Sequence, residues 1–242
     1  MTPPPETDRP HQEPRRKLYG RRHGKALRPR QRELLDELLP QLQVPGVAPP
    51  GDQDRAPVEP RAIFPEARAL WVEVGFGAGE HLVYQAQRNP DVGLIGCEPY
   101  VNGVAVALGR IAESRPGNVR LHPGDARDLI ELLPPASVER VFLLYPDPWP
   151  KARHHRRRFM HPDNLAMLAR IMPPGAVLRL ATDIADYVEH ALAAVAASET
   201  FRLAPDGGAD HARPWPDWPG TRYEAKAVRD RRRPHYLTFV RV

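Results

Sequence analysis

A single aspartate stands among three prolines in the stretch YPDPWP, which begins at Tyr145. Proline fixes φ and pushes the residue before it into an extended conformation. The stretch therefore predicts a stiff, extended shelf from which Asp147 projects with little rotational freedom to lose. A carboxylate held in this way suits the N–H edge of a nucleobase, and the neighbouring Trp149 either stacks on a base or packs in the core.

Dense positive charge follows this shelf directly. Residues 151–158 contain five Arg or Lys and no acid, and further basic patches occupy residues 1–30 and 226–233. The three patches hold 19 of the chain's 35 basic residues but only 4 of its 30 acidic ones, so the rest of the chain is acidic. This asymmetry favours a nucleic-acid partner over a uniformly solvated surface. The side chains expected to follow a phosphate backbone are Lys151, Arg153, Arg156, Arg157 and Arg158.

Composition limits the classes of protein to which the chain can belong. Its 242 residues are enough for one large α/β domain, and its one cysteine, Cys97, excludes an internal disulfide and a metal site built from several cysteines. His154 and His155 are adjacent in a basic run and lack the spacing of metal ligands. No apolar run is long enough to cross a bilayer, and the first residues lack the apolar segment of a signal peptide. We therefore expect a cytoplasmic protein that binds no metal and does not enter a membrane.

Apolar patterning predicts alternating strands and helices from residue 69 onward. Repeated units of this kind imply an α/β, Rossmann-like fold with a mostly parallel sheet and helices on both faces. We assign residues 63–242 to this domain, 31–62 to an N-terminal helix and linker, and 1–30 to a basic tail that is disordered without a partner. The predicted strands span 69–74, 92–97, 119–121, 138–145, 176–181 and 236–242, and the predicted helices span 30–42, 80–88, 101–111, 164–172 and 184–195.

A glycine-rich turn joins the first predicted strand to the helix that follows it. In the sequence EVGFGAGE, an acid, Glu73, is followed by glycines at alternate positions, which are Gly75, Gly77 and Gly79. A dinucleotide-binding turn would have its third glycine or an alanine where this chain has Glu80, and a carboxylate there would repel a pyrophosphate. The pattern instead resembles the S-adenosylmethionine loop of Rossmann-like methyltransferases, whose ligand carries a cationic sulfonium.

Acids follow the next two predicted strands as well. Glu98 ends the second strand, at the position where an acid accepts hydrogen bonds from a ribose diol. Asp125 and Ala126 follow the third strand, where methyltransferases of this type place an acid near the adenine. Since ligands of such folds bind at the carboxyl ends of the strands, we expect these residues to share one cofactor site.

Together these motifs closely resemble the bacterial tRNA (guanine-N7-)-methyltransferase family over nearly the whole chain. The resemblance rests on the glycine turn, on PDPWPK followed by RHHxRR, and on ATD at 181–183. It also includes TRYExK at 221–226 and GRRxGK at 20–25. The chain departs from the family in three places. Ala152 replaces a basic residue, and the run EPYVNG, which begins at Glu98, differs from the family's usual sequence there. Loop 205–220 resembles a lineage-specific insertion.

The resemblance implies a Rossmann-like class I methyltransferase that transfers a methyl group from S-adenosylmethionine to guanine N7 at position 46 of the tRNA variable loop. It implies that Asp147 is the catalytic residue and borders the cofactor, that Lys151 and the arginines behind it bind the RNA backbone, and that no protein partner is obligatory. The further guanosine contacts that it implies are Asp183, Thr221, Arg222, Tyr223 and Glu224.

Two other functions remain open from the sequence. A methyltransferase acting on an exocyclic amine carries an Asp-Pro-Pro-aromatic motif at the same strand end, whereas this chain has Trp149 after Asp147-Pro148. A non-enzymatic RNA-binding protein could also retain the scaffold, but acids at successive strand ends disfavour that alternative. Binding of S-adenosylmethionine would separate it from an enzyme.

Overall fold

The structure, a computed structural model, describes residues 18–205 and 211–242. These residues form a seven-stranded sheet with the strand order β3-β2-β1-β4-β5-β7-β6. Strands β1 to β5 are mutually parallel, whereas β7 runs antiparallel to both β5 and β6. The strands are β1 (Ala69–Val74), β2 (Val92–Cys97), β3 (Val119–His122), β4 (Arg140–Leu144), β5 (Val177–Thr182), β6 (Phe201–Leu203) and β7 (His235–Arg241).

Helices connect the parallel strands and cover the two faces of the sheet. One apolar core packs β1 and β4 against α6, α7 and α8, through residues such as Val72, Leu129 and Leu165. The other packs Trp71 and Phe142 against α1, α4 and α5. The helices are α1 (Pro29–Glu37), α2 (Leu39–Leu42), α3 (Pro60–Ile63), α4 (Glu80–Arg88), α5 (Val101–Ser114), α6 (Ala126–Leu132), α7 (Pro162–Ile171), α8 (Ala185–Ala196) and α9 (Arg222–Arg229), with a 3-10 helix at Ala152–Arg157.

This architecture confirms the predicted α/β, Rossmann-like fold with a mostly parallel sheet. The bounds of β1, β2 and α4 coincide with the predicted ones, while β4 is shorter than the predicted strand 138–145. The predicted helix 30–42 is two helices, since α1 ends before Leu38 and Pro40 lies in the first turn of α2. The sequence patterns do not reveal α3, α6, β6 or α9, each of which has eight residues or fewer. No helix in the described part of the chain is long and apolar enough to span a membrane.

The N-terminal segment 18–28 lies against α5. The Arg22 carbonyl accepts a hydrogen bond from the Val101 amide at 2.9 Å. The Asn102 side chain accepts from the Gly24 amide and donates to the Lys25 carbonyl, each at 2.7 Å. The predicted disordered tail reaches residue 30, so the structure differs from that prediction over 18–28, because these backbone contacts anchor the segment. The remainder of the predicted tail, 1–17, lies outside the described residues.

Residues 211–220 cover the sheet face beside β4, β5 and β7. Asp217 is hydrogen-bonded to Arg179 of β5 at 2.7 Å and lies 3.3 Å from the Arg140 guanidinium of β4. Trp215 and Trp218 pack edge-on to each other, with ring centroids 5.5 Å apart. Part of the loop expected to be an insertion, 206–210, lies outside the described residues.

Candidate active site

An open cavity of about 870 Å³ lies at the carboxyl ends of the central parallel strands. Its walls come from the ends of β1, β2 and β4, from the start of α6, and from the N-terminal segment 18–28. Parallel strands bring their carboxyl ends to one edge of a sheet, so motifs far apart in the sequence meet here. The predicted site residues among its lining are Gly75, Glu98, Asp125, Ala126, Asp147, Arg156, Arg157, Arg158 and Tyr223.

Glu98 holds the glycine turn in place. One carboxylate oxygen accepts from the Gly77 amide and the other from the Tyr100 amide, both at 2.8 Å. Gly75, Gly77 and Gly79 all have positive φ, of 74°, 57° and 76°, a conformation that favours glycine. Burial raises the pKa of Glu98, and the two backbone hydrogen bonds oppose that rise. Glu98 therefore shapes the turn and also lines the cavity.

Glu73 lies behind the glycine turn, not in the cavity wall. Its side chain is buried and forms a 2.8 Å hydrogen bond with the His81 ring of α4. This bond ties the end of β1 to α4, and direct contact between Glu73 and the cofactor stays a prediction. Gly77 and Gly79 are likewise absent from the lining and serve as the backbone of the turn. His81 was not predicted, although its position eight residues after Glu73 puts both on one strand-helix unit.

Asp125 both caps α6 and lines the cavity. Its carboxylate accepts from the Arg127 amide at 3.0 Å, which satisfies a free N–H at the start of the helix. The same carboxylate forms an ion pair with the Arg127 guanidinium, and Ala126 follows it along the cavity wall. One side chain can therefore both cap the helix and border a ligand in the cavity.

The shelf that carries Asp147 is bent. Tyr145 and Trp149 both have positive φ, of 50° and 42°, and each precedes a proline. Such conformations cost of order 1–3 kcal/mol each and persist where surrounding structure enforces them. The expectation of a simply extended shelf is therefore wrong, and the bends turn Asp147 toward the cavity. The Asp147 side chain is exposed to the cavity, and partial loss of water there raises its pKa.

Trp149 lies on the cavity wall and belongs to neither apolar core. Its ring meets Tyr19 edge-on at 6.2 Å and His154 edge-on at 6.1 Å. The Arg157 guanidinium lies 4.4 Å from the Tyr19 ring centroid and 4.9 Å from that of Trp149. Of the two alternatives left by the sequence, packing in the core is excluded, and Tyr19 is a cavity residue that sequence reasoning missed.

The basic run separates into two parts. Lys151, which precedes the 3-10 helix, and Arg153 and Arg156 within it are exposed. Arg158 is 1% exposed, donates to the Pro148 carbonyl at 2.9 Å and pairs with Asp186 of α8. The prediction that Arg158 binds phosphate is therefore wrong, since a buried guanidinium that is already paired cannot reach an RNA backbone. It ties the Asp147 shelf to α8 instead.

The residues expected to contact guanosine through the last two motifs are largely engaged within the protein. Asp183 pairs with Arg232. The Thr221 hydroxyl caps α9 by accepting from the Glu224 amide at 3.2 Å. The Glu224 carboxylate accepts from both the Trp218 indole and the Tyr236 hydroxyl.

Tyr223 extends from the first turn of α9 toward the cavity. A methyl group added to Gly77 would lie 3.2 Å from Tyr223 Cε2 and 3.6 Å from a guanidinium nitrogen of Arg222. The Tyr223 ring is also nearly parallel to that of Tyr145, at an angle of 18° and a centroid distance of 6.4 Å. Tyr223 thus lies between the glycine turn and the Asp147 shelf.

The cavity offers carboxylates and aromatic surfaces for a ligand. Asp147 and Glu98 both line it, and the charge of Asp147 contributes to the raised pKa of Glu98. Within the described ranges, no cluster of three or more His, Cys, Asp or Glu side chains could hold a metal ion. The arrangement therefore suits a cationic ligand beside a polar, planar one.

Comparison with a family model agrees with this site. Residues 67–237 match the model described as "Putative methyltransferase". That range contains the glycine turn, the Asp147 shelf and all of α9, whereas the N-terminal segment 18–28 lies outside it.

Comparison with solved structures supports the fold. The crystal structure of the 16S rRNA methyltransferase KamB is similar with a TM-score of 0.55 and 17% identity, over 83% of this chain and 98% of that one. A 16S rRNA (adenine(1408)-N(1))-methyltransferase from Catenulisporales acidiphilia is similar with a TM-score of 0.51 and 20% identity, over 81% of this chain and 95% of that one. The predicted class I methyltransferase fold is therefore confirmed.

Curated relatives are similar over nearly their full length. The tRNA (guanine-N(7)-)-methyltransferase of Paracoccus denitrificans (strain Pd 1222) is 54% identical over 94% of this chain and 96% of its own length. The enzyme of the same name from Caulobacter vibrioides (strain NA1000 / CB15N) is 47% identical over 92% of this chain and 94% of its own. At this identity and coverage, the chain belongs to the tRNA (guanine-N(7)-)-methyltransferase family.

Proposed function

We propose that this protein transfers a methyl group from S-adenosylmethionine to N7 of guanine at position 46 in the variable loop of tRNA, in the cytoplasm and without an obligatory protein partner. One observation carries the proposal: Asp147 faces the same cavity as Glu98 and the glycine turn. A carboxylate that can bind the base and the residues that would hold the cofactor therefore line the same cavity. The names of the curated relatives support the same reaction and substrate.

The residues of the cavity fit S-adenosylmethionine, which supplies an electrophilic methyl group on a cationic sulfonium. Gly75 presents backbone without a side chain, and Glu98 offers a carboxylate where a ribose diol would lie. Asp125 and Ala126 would border the adenine. Glu80, at the start of α4, disfavours a pyrophosphate at this turn but is compatible with a cation.

The reaction depends more on positioning guanine N7 against the methyl group than on acid–base catalysis. Guanine N7 has a free lone pair and no proton, so no general base is needed before attack on the methyl group. Asp147 can accept hydrogen bonds from guanine N1–H and N2–H₂, groups that adenine does not offer in this pattern. Its negative charge also stabilises the purine as it becomes cationic. The raised pKa of Asp147 marks a carboxylate that has lost part of its water and can exchange the rest for the base.

The exposed part of the basic run provides the backbone contacts. Lys151 lies just before the 3-10 helix that follows the Asp147 shelf, and Arg153 and Arg156 project from that helix. A phosphate backbone held there would lie next to the cavity that receives the base. Arg157, which stacks on Tyr19 and Trp149, lies at the border between the two regions.

Mapping of the methylated nucleotide tests the proposal. Total tRNA from cells with and without the gene is reduced with borohydride and cleaved with aniline, a treatment that breaks the chain at 7-methylguanosine. We expect cleavage at position 46 in cells with the gene and its loss without it. The purified chain alone should restore the modification in tRNA from the deleted cells, and unchanged cleavage after deletion would refute the proposal.

A further inference from the structure

Residues 211–220 are joined to the sheet and to α4 at Asp217. The Asp217 side chain pairs with Arg179, and its backbone carbonyl accepts a hydrogen bond from the Gln85 side chain at 3.0 Å. Asp217 is thus held by a helix and by strands that also carry the site. The next residue, Trp218, therefore has a defined position from which its indole can act.

Trp218 contacts the supports of two separate parts of the cavity. Its indole N–H donates to Glu224 in the first turn of α9, and its ring lies 5.4 Å from the His81 ring. His81 is the partner of Glu73, which precedes the glycine turn. Trp218 thereby links α9 to the strand-helix unit that carries this turn.

Glu224 is fully engaged by this arrangement. One carboxylate oxygen accepts from Trp218 and the other from the Tyr236 hydroxyl. Burial and the hydrogen bond to Glu224 raise the pKa of Tyr236, so the phenol remains a donor at neutral pH. A carboxylate held by two donors has little freedom left to turn toward a base.

The position of Tyr223 depends on this anchor. Tyr223 precedes Glu224, and its ring lies over Gly77 and beside Tyr145. Since α9 buries just one of its residues, Ala227, apolar packing alone does little to hold the helix. The hydrogen bonds to Glu224 therefore supply much of what keeps Tyr223 between the glycine turn and the Asp147 shelf.

We propose that Trp218 is a positioning residue for the methyl transfer: through Glu224 it sets the first turn of α9, and thereby Tyr223, against the cavity. The inference rests on the proposed function, since it concerns the same site. It assigns to segment 211–220 a role in substrate binding that neither its composition nor any motif indicates. Glu224 accordingly holds α9 through these two hydrogen bonds.

The test compares two tryptophans of the same cluster. Trp218→Phe keeps an aromatic ring but removes the donor to Glu224. Trp215→Phe is the matched control, because Trp215 packs in the same cluster but donates to Thr238 at 2.9 Å, away from α9. Tyr236→Phe removes the second donor to Glu224 and provides an independent variant should Trp218→Phe fail to fold.

Steady-state methylation of an unmodified tRNA transcript is measured at saturating S-adenosylmethionine, with rates normalised to folded protein. We expect Trp218→Phe and Tyr236→Phe to lower kcat/KM for tRNA about tenfold, mainly through KM, because each loses a hydrogen bond to a charged acceptor. Trp215→Phe should keep the wild-type KM even where its melting temperature falls.

Equal KM values in all three variants would overturn the inference, since a merely structural role lowers the folded fraction without changing KM. A wild-type chain that forms no 7-methylguanosine would instead refute the proposed function. The two failures are thus distinguishable within one experiment.

Discussion

The exposed part of the basic run should determine how strongly tRNA binding depends on salt. We consider the triple variant Lys151→Gln, Arg153→Gln, Arg156→Gln, which keeps unbranched polar side chains but removes three exposed charges. Each phosphate contact contributes roughly 0.7 to 0.9 to the slope of log affinity against log salt concentration. If all three side chains touch phosphate, the slope should flatten by about 2 to 3 units.

Fluorescence anisotropy of labelled tRNA, titrated with protein at several salt concentrations, measures this slope. The control removes the same charge from Arg61, Arg88 and Arg115, which lie in α3 or at the ends of α4 and α5, toward the opposite edge of the sheet. The control should keep the wild-type slope. Methylation by the first variant at saturating tRNA should survive in part, since Asp147 and Glu98 are intact.

An unchanged slope in the first variant would refute this reasoning. The RNA backbone would then be held elsewhere, by residues 1–30 or by 226–233, and the charges of the 3-10 helix would only be solvated. A loss of slope in the control variant would show that binding depends on net charge and not on this surface.

Three further substitutions test single side chains. Glu98→Ala should weaken S-adenosylmethionine binding but leave tRNA affinity nearly intact in calorimetric titrations; unchanged cofactor affinity would remove Glu98 from the site. Asp147→Asn should abolish most turnover but raise the melting temperature at neutral pH, because loss of water raises the pKa of this carboxyl and its charge therefore opposes folding. This gain should disappear as pH falls through the raised pKa toward the ordinary value of 3.8, and a lower melting temperature at neutral pH would contradict it. Arg158→Gln should destabilise the fold by on the order of 2 kcal/mol in urea unfolding, since it removes a buried guanidinium that donates to the Pro148 carbonyl and pairs with the partly exposed Asp186, whereas Arg156→Gln should change stability little.

The central sheet was predictable because its signals are local. Continuous apolar runs identify buried parallel strands, and glycines and prolines mark where they end. Because ligands of such folds bind at the carboxyl ends of the strands, Glu98, Asp125 and Asp147 are expected at one edge of the sheet even before any distance is known. The cavity lining contains all three.

Sequence spacing is least informative where one residue type can serve two environments. Arg158 ends a run of exposed charges, yet it is the buried member of that run, because the chain turns into the core at Phe159 and Met160. Glu73 precedes the glycines like a cofactor ligand, and the spacing does not show that its buried side chain also bonds to His81 of α4. Burial distinguishes such cases, and sequence spacing alone does not.

Contacts over long sequence separations account for the remaining differences. Trp218 reaches His81 of α4, and Tyr19 reaches Trp149 of the Asp147 shelf. Neither pair shares a motif or a period, so no local pattern could join them. The sequence consequently predicts segment 18–28 as part of a tail and segment 211–220 as part of a loop, although both contribute to the surroundings of the cavity.

The most direct test of the central claim replaces one atom of the substrate. Two tRNA transcripts are compared, one with guanine and one with 7-deazaguanine at position 46, where a C–H group takes the place of N7 and the N1–H and N2–H₂ groups are kept. The account predicts that both bind with similar affinity, since Asp147 and the basic run contact groups that the two share, and that the purified protein methylates the first alone. Equal methyl incorporation into both transcripts would contradict it, because the methyl group would then have been accepted by an atom other than N7.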